Sequence, residues 1–159
     1  MNGHMDETQK ELALLFMESI YVQQKLCKAL EELSYQTSTH ASITEKAAEM
    51  VKSASYRVII LEDGMQGIPL RENCLYQEIC RLTMRSRRNI FLILVGKEMK
   101  HLSFMTAFSM NANLLLNTER IEKEELAAIT TALRQVIAWN ARLYQAYHKT
   151  KERIDQSGR

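Results

Sequence analysis

The chain first turns apolar between Glu11 and Met17 (ELALLFM), a short run bounded by polar residues and therefore a candidate buried strand. Beyond Glu18-Ser19 the period changes. Tyr21, Val22, Leu26, Leu30 and Leu33 recur mostly four apart, with Gln23, Gln24, Lys25, Lys28, Glu31 and Glu32 opposite, which predicts an amphipathic helix of about four turns. Tyr35 to Ala41 is rich in Thr and reads as an edge strand. Ser42 with Glu45 three residues on makes a capping box for a helix running to about Ala54. Tyr56 to Leu61 (YRVIIL) is the clearest strand, stopped by Glu62-Asp63-Gly64, and Gly64, Gly67 and Pro69 mark the loop that follows. Leu75, Ile79, Leu82 and Met84 then predict one helix closing with Arg85-Ser86-Arg87-Arg88. Ile90 to Val95 (IFLILV) is a further buried strand, Lys100 to Met110 a helix carrying Leu102, Met105 and Phe108, and Leu114 to Leu116 a short strand. One long helix is expected from Glu119 to about Ile154.

Five apolar strands alternating with five helices imply an α/β fold with a parallel sheet covered on both faces. Right-handed crossovers make it doubly wound. The order 2-1-3-4-5 is expected as the common arrangement of small members, although periodicity alone does not fix it.

Composition changes this picture little. The 159 residues suit one domain with a core that needs no disulfide or metal support. A net charge of +2 gives no bulk reason to expect nucleic acid or a membrane as partner. Cys27, Cys74 and Cys80 are odd in number and form no CxxC pair, so free thiols in a reducing cytoplasm are expected. No apolar run reaches the length of a membrane span. Met1 to Met5 (MNGHM) reads as an expression remnant with a second start at Met5, which leaves a domain over residues 6–140 and an extension of the last helix over 141–159.

Two stretches carry a resemblance to a known family. Leu30-Glu31-Glu32-Leu33-Ser34-Tyr35 is similar to the end of a first helix entering the second strand of the CheY-like receiver domains of response regulators, and Tyr56 to Glu62 resembles the third strand of that family. The resemblance covers roughly residues 11 to 140. It implies a site at the carboxyl ends of the strands, where an acidic pair holds Mg²⁺, an Asp accepts the phosphoryl group, and a Ser or Thr and a Lys bind its oxygens. In this chain the acidic pair falls on Met17 and Glu18, the acceptor on Glu62, the hydroxyl position on Val95 and the lysine position on Asn117. The spacings match typical receivers: 44 residues from Glu18 to Glu62 (62 − 18) and 22 from Val95 to Asn117 (117 − 95). The frame is kept while its chemistry changes. A thioether cannot ligate a hard cation, Val95 cannot bond a phosphoryl oxygen, Asn117 lacks the lysine's charge, and Glu62 displaces the nucleophilic oxygen.

Other residues suggest little chemistry. Asp63 is expected to be solvated or to start the turn. His40, His101 and His148 have no ligand spacing and read as surface residues. Arg81, Arg85, Arg87 and Arg88, with Lys97 and Lys100, read as a solvated face and as cations near a helix C-terminus, with an anion or RNA patch as the rival.

The last helix holds a heptad seam of Leu126, Ile129, Leu133, Val136, Asn140, Leu143 and Tyr147. Its first half should cover the sheet. A helix of about 35 residues is roughly 50 Å long, more than such a sheet can cover. Trp139, Leu143, Tyr144 and Tyr147 should therefore meet something else, a second copy or a neighbouring domain. Asn140 suits either fixing a register or facing solvent.

The expectation is a non-catalytic pseudo-receiver without a cofactor, a protein–protein interaction module of bacterial two-component signalling. Its partners would be proteins, including a second copy through the C-terminal helix, rather than nucleic acid or membrane. The alternatives are a phosphorylation- or ligand-regulated receiver with an atypical site, and a small flavodoxin-like nucleotide-binding domain.

Overall fold

The structure is a computed structural model and describes residues 9–53 and 56–158; the stretch expected to be an expression remnant and the expected helix end at Ala54 lie outside them. Five parallel strands, β1 (Glu11–Phe16), β2 (Tyr35–His40), β3 (Tyr56–Glu62), β4 (Phe91–Gly96) and β5 (Leu114–Asn117), form one sheet in the order β2-β1-β3-β4-β5. The expected doubly wound topology is therefore present.

Strand alternation builds two cores. Ala13, Leu15, Val58, Ile60, Ile93, Val95, Leu114 and Leu116 face α1 (Ile20–Glu32), α6 (Thr118–Lys123) and the first turns of α7 (Leu126–Ser157). Leu14, Phe16, Ile59, Leu61, Leu92, Leu94 and Leu115 face α2 (Glu45–Ser53), α3 (Cys74–Arg81) and Ala107 of α5 (Phe104–Ser109). Every residue from Val58 to Glu62 and from Phe91 to Gly96 is buried, as a central strand covered on both sides requires.

Helix ends depart from the sequence reading in four places. The Ser42–Glu45 capping box does not form: Ser42 lies in a bend, half-buried Ile43 packs against the second core, and the first turn opens with the Ala47 amide donating to the Thr44 carbonyl at 2.9 Å. Glu45 is thus the first helical residue, where its charge suits the helix dipole.

The helix expected from Leu75 to Arg88 is two. Leu82 and Thr83 are extended (ψ 146° and 151°), Leu82 packs against the core, and the Thr83 hydroxyl caps α4 (Met84–Arg88) through the Ser86 amide at 3.3 Å. The helix expected from Lys100 starts only at Phe104. Leu102 takes a left-handed conformation (φ 59°) while its amide bonds Leu115, and Ser103 caps the helix. Met105 and Phe108, which the helix carries, are each 81% exposed.

The last helix is interrupted at Glu124-Glu125. Asn117 caps α6 through the Arg120 amide, and the Lys25 ammonium donates to the carbonyls of Ile121, Glu122 and Glu124 at 2.8–3.1 Å, ending the helix with a charge from α1.

Candidate functional site

The carboxyl ends of β1, β3, β4 and β5 open into a cleft of about 470 Å³ lined by Glu18, Ser19, Glu62, Asp63, Gly64, Gly96, Lys97, Glu98 and Thr118. Strand register brings the sequence-predicted positions together: Glu62 pairs with Val95 across β3 and β4, and Gly96 with Asn117 across β4 and β5.

Glu62 is the hub. Its carboxylate, 8% exposed, accepts hydrogen bonds from the Glu18 amide at 2.6 Å, the Ser19 amide at 3.0 Å and the Ser19 hydroxyl. These donors stand at the entrance to α1, where orphan amides and the helix dipole favour an anion. The Glu18 carboxylate leans the other way and accepts from the Gln66 amide at 2.7 Å. The β1–α1 and β3–α3 loops are thus clasped reciprocally, each by a carboxylate from the other side. Asp63 is used inside its own loop, accepting from the Leu70 amide at 2.9 Å, as the turn-starting reading expected.

The remaining positions give this hub no polar group. Met17 is buried in the first core, and Val95 beside it. The Asn117 side chain donates to the carbonyls of Lys97 (2.9 Å) and Met99 (3.1 Å) while capping α6, so it is spent on backbone. The Gly96 position is tight: a Cβ there would stand 3.2 Å from Asp63 Cβ and from Met99 Cγ. Thr118 is buried, and its hydroxyl has no hydrogen-bond partner among the described residues. Exposed Lys97 lines the mouth.

Three participants escape sequence reasoning. Ser19 and Thr118 lie one residue beyond the matched positions and carry no motif. His101, read as a surface residue, has a side chain only 10% exposed; its Nδ1 accepts from the Asn117 amide at 3.1 Å and its Nε2 is 3.8 Å from Glu124. Burial, reinforced by Arg120 and opposed by Glu124, holds the imidazole below its ordinary pKa. His40 is half-buried, stacked on Phe16 at 5.2 Å between ring centroids, whereas His148 is exposed. Among the described residues no group of three or more His, Cys, Asp or Glu is arranged to hold a metal ion. No described helix is long and apolar enough to cross a membrane.

The predicted interaction residues lie on α7. Leu126, Ile129, Leu133 and Val136 pack on the first core, as expected for the first half of the seam. Asn140 turns inward, its carbonyl oxygen 3.3 Å from the Asn113 amide nitrogen. Trp139, Leu143 and Tyr147 are 52%, 50% and 45% exposed, and Tyr144 is half-buried. Trp139 meets Phe104 at 6.0 Å between ring centroids, extending an apolar strip from α5 onto α7.

No family model matches the sequence, and no curated protein matches it. Solved structures do resemble the fold. The receiver domain of a sensor histidine kinase from Pseudomonas aeruginosa, with a magnesium ion in its active-site cleft, is 16% identical at a TM-score of 0.57, covering 81% of this chain and 98% of that one. A response regulator from Thermotoga maritima is 10% identical at a TM-score of 0.58, covering 81% and 98%. A fusion protein carrying the yeast Spc42 trimeric coiled coil is 8% identical at 0.57, covering 95% and 98%. Sheet order, wrapping helices and these likenesses together give this chain the fold of response-regulator receiver domains.

Proposed function

We propose that this domain is a non-catalytic pseudo-receiver, a cytoplasmic protein-interaction module in which the strand-end cleft neither holds Mg²⁺ nor accepts a phosphoryl group. The observation that carries this reading is the state of Glu62. Its carboxylate stands where the acceptor would stand and already takes three hydrogen bonds from the entrance of α1. A hard divalent cation needs several free oxygens in a near-octahedral set. Here Met17 offers none, while Glu18, Glu62 and Asp63 are each engaged by backbone amides. An in-line transfer also depends on charge at the equatorial oxygens, and Asn117 supplies neither a charge nor a free amide group.

The interaction surface in this reading is the strip of Phe104, Met105 and Phe108 on α5 together with Trp139 and Leu143 on α7. Aromatic and Met side chains exposed together are the composition of interface centres. Self-association through α7 belongs to the same proposal.

A ligand-regulated cleft is the second reading, favoured by the unpartnered Thr118 hydroxyl and by Lys97 at the mouth. Titration with beryllofluoride and Mg²⁺, followed by amide NMR, separates the two. The proposal expects the Glu18, Ser19 and Glu62 resonances to stay in place; saturable shifts at those residues contradict it.

A further inference from the structure

At the opposite pole of the sheet, α4 and the second half of α7 enclose a groove that the cleft does not explain. Two cavities of about 350 and 780 Å³ run together there, sharing Arg88, Asn89 and Tyr144. The groove follows α7 from Ile137 to Lys151, which at 1.5 Å per residue is roughly 20 Å, or about four helical turns. Its lining is mixed, with apolar surface from Phe91, Ile137 and Ala141 at one end and from exposed Met84 at the other, and polar side chains between them. Its rim is cationic: Arg57, Arg85, Arg88 and Lys151 stand against Glu11 as the lining carboxylate. Of these cations, only Arg57 forms an ion pair among the described residues, with Glu11 at 3.4 Å.

The neighbouring Arg87 is spent on structure, donating to the carbonyls of Ile90 (2.7 Å) and Asn111, and it fixes α4 at this position. Arg85 and Arg88 are thereby presented from a short helix held in place.

We infer that this groove docks an acidic amphipathic helix of a partner protein, its apolar side chains on Phe91, Ile137 and Met84 and its carboxylates on Arg85, Arg88 and Lys151. Three features select that occupant. The apolar surface at the two ends takes apolar side chains as helix-in-groove sites do, and Arg85, Arg88 and Lys151, which form no ion pair among the described residues, steer carboxylates. Single-stranded nucleic acid would need open aromatic faces for its bases. Here the Arg88 guanidinium covers the Tyr147 ring at 4.2 Å, and His148 lies against both Tyr144 (5.4 Å) and Tyr147 (5.9 Å). The groove is also distinct from the Phe104–Trp139 strip, so it would serve a second contact and stands whether or not the cleft is phosphorylated.

The test is fluorescence anisotropy of the full chain with three labelled probes: a helical peptide with a leucine stripe flanked by glutamates, the same peptide with lysines replacing the glutamates, and oligouridylate. The glutamate peptide should bind, more weakly as salt rises, and the paired change Arg85→Glu with Arg88→Glu should weaken it roughly tenfold. Lys151→Glu, beyond the sheet and remote from the core, should weaken it in the same direction and guards against a folding defect. Trp139→Ala should leave binding unchanged. No binding of the glutamate peptide, or binding indifferent to all three charge changes, overturns the inference. So does oligouridylate binding through the same residues.

Discussion

Glu62 and His101 each fix a loop by accepting backbone amides, Glu62 those of Glu18 and Ser19 beside the cleft and His101 that of Asn117 behind it. Replacing Glu62 with Ala removes three hydrogen bonds to a charged acceptor and leaves the Glu18 and Ser19 amides to water. The expected cost is about 1–3 kcal/mol, read as a lower denaturation midpoint with an unchanged slope. His101 gives the molecule a pH dependence whose sign follows from its lowered pKa. The folded state binds this proton less readily than the unfolded chain does. The contribution to stability is therefore complete above the unfolded value of about 6.5 and is lost as pH falls towards the lower folded value. Protonation would also turn Nδ1 from an acceptor into a donor facing the Asn117 amide. Thermal melting should accordingly drop on acidification below about pH 6.5. His101→Gln should flatten that part of the profile; an unchanged profile would show that another group sets it.

At the scale of elements, the strands were legible because burial on both faces leaves an unbroken apolar run, as in Ile90 to Val95. Helix ends were not, because distant partners decide them. The ammonium that stops α6 belongs to Lys25, nearly a hundred positions earlier in the chain. The late start of α5 depends on a Leu102–Leu115 bond between segments that no local pattern connects. The seam on α7 divides where its length against the sheet predicts. Through Val136 it covers the domain's own core, after which Trp139 and Leu143 reach solvent beside Phe104. If that stretch carries self-association, sedimentation of the full chain should show a dimer that a version ending at Ala138 no longer forms. Two monomers would remove α7 as a dimer element.

For the whole molecule, the fold was readable from the alternation of elements, and the 44-residue spacing from Glu18 to Glu62 matches two residues that meet at the carboxyl ends of β1 and β3. What spacing could not reveal was how those groups are used. That Ser19 would turn its amide and hydroxyl onto Glu62 depends on the path of the β1–α1 loop, and that Asn117 would be spent on the Lys97 and Met99 carbonyls depends on the loop after β4. The two poles of the sheet also differ in charge. Carboxylates gather at the strand ends, whereas Arg85 and Arg88, without an ion pair among the described residues, stand where the strands begin, a separation invisible in a net charge of +2.

The proposed pseudo-receiver combines the receiver fold with a strand-end cleft that neither holds Mg²⁺ nor accepts a phosphoryl group. Intact-mass spectrometry of the full chain after incubation with acetyl phosphate and Mg²⁺ addresses it directly. An unchanged mass is expected. A phosphoryl adduct that is lost on replacing Glu62 with Ala would contradict it.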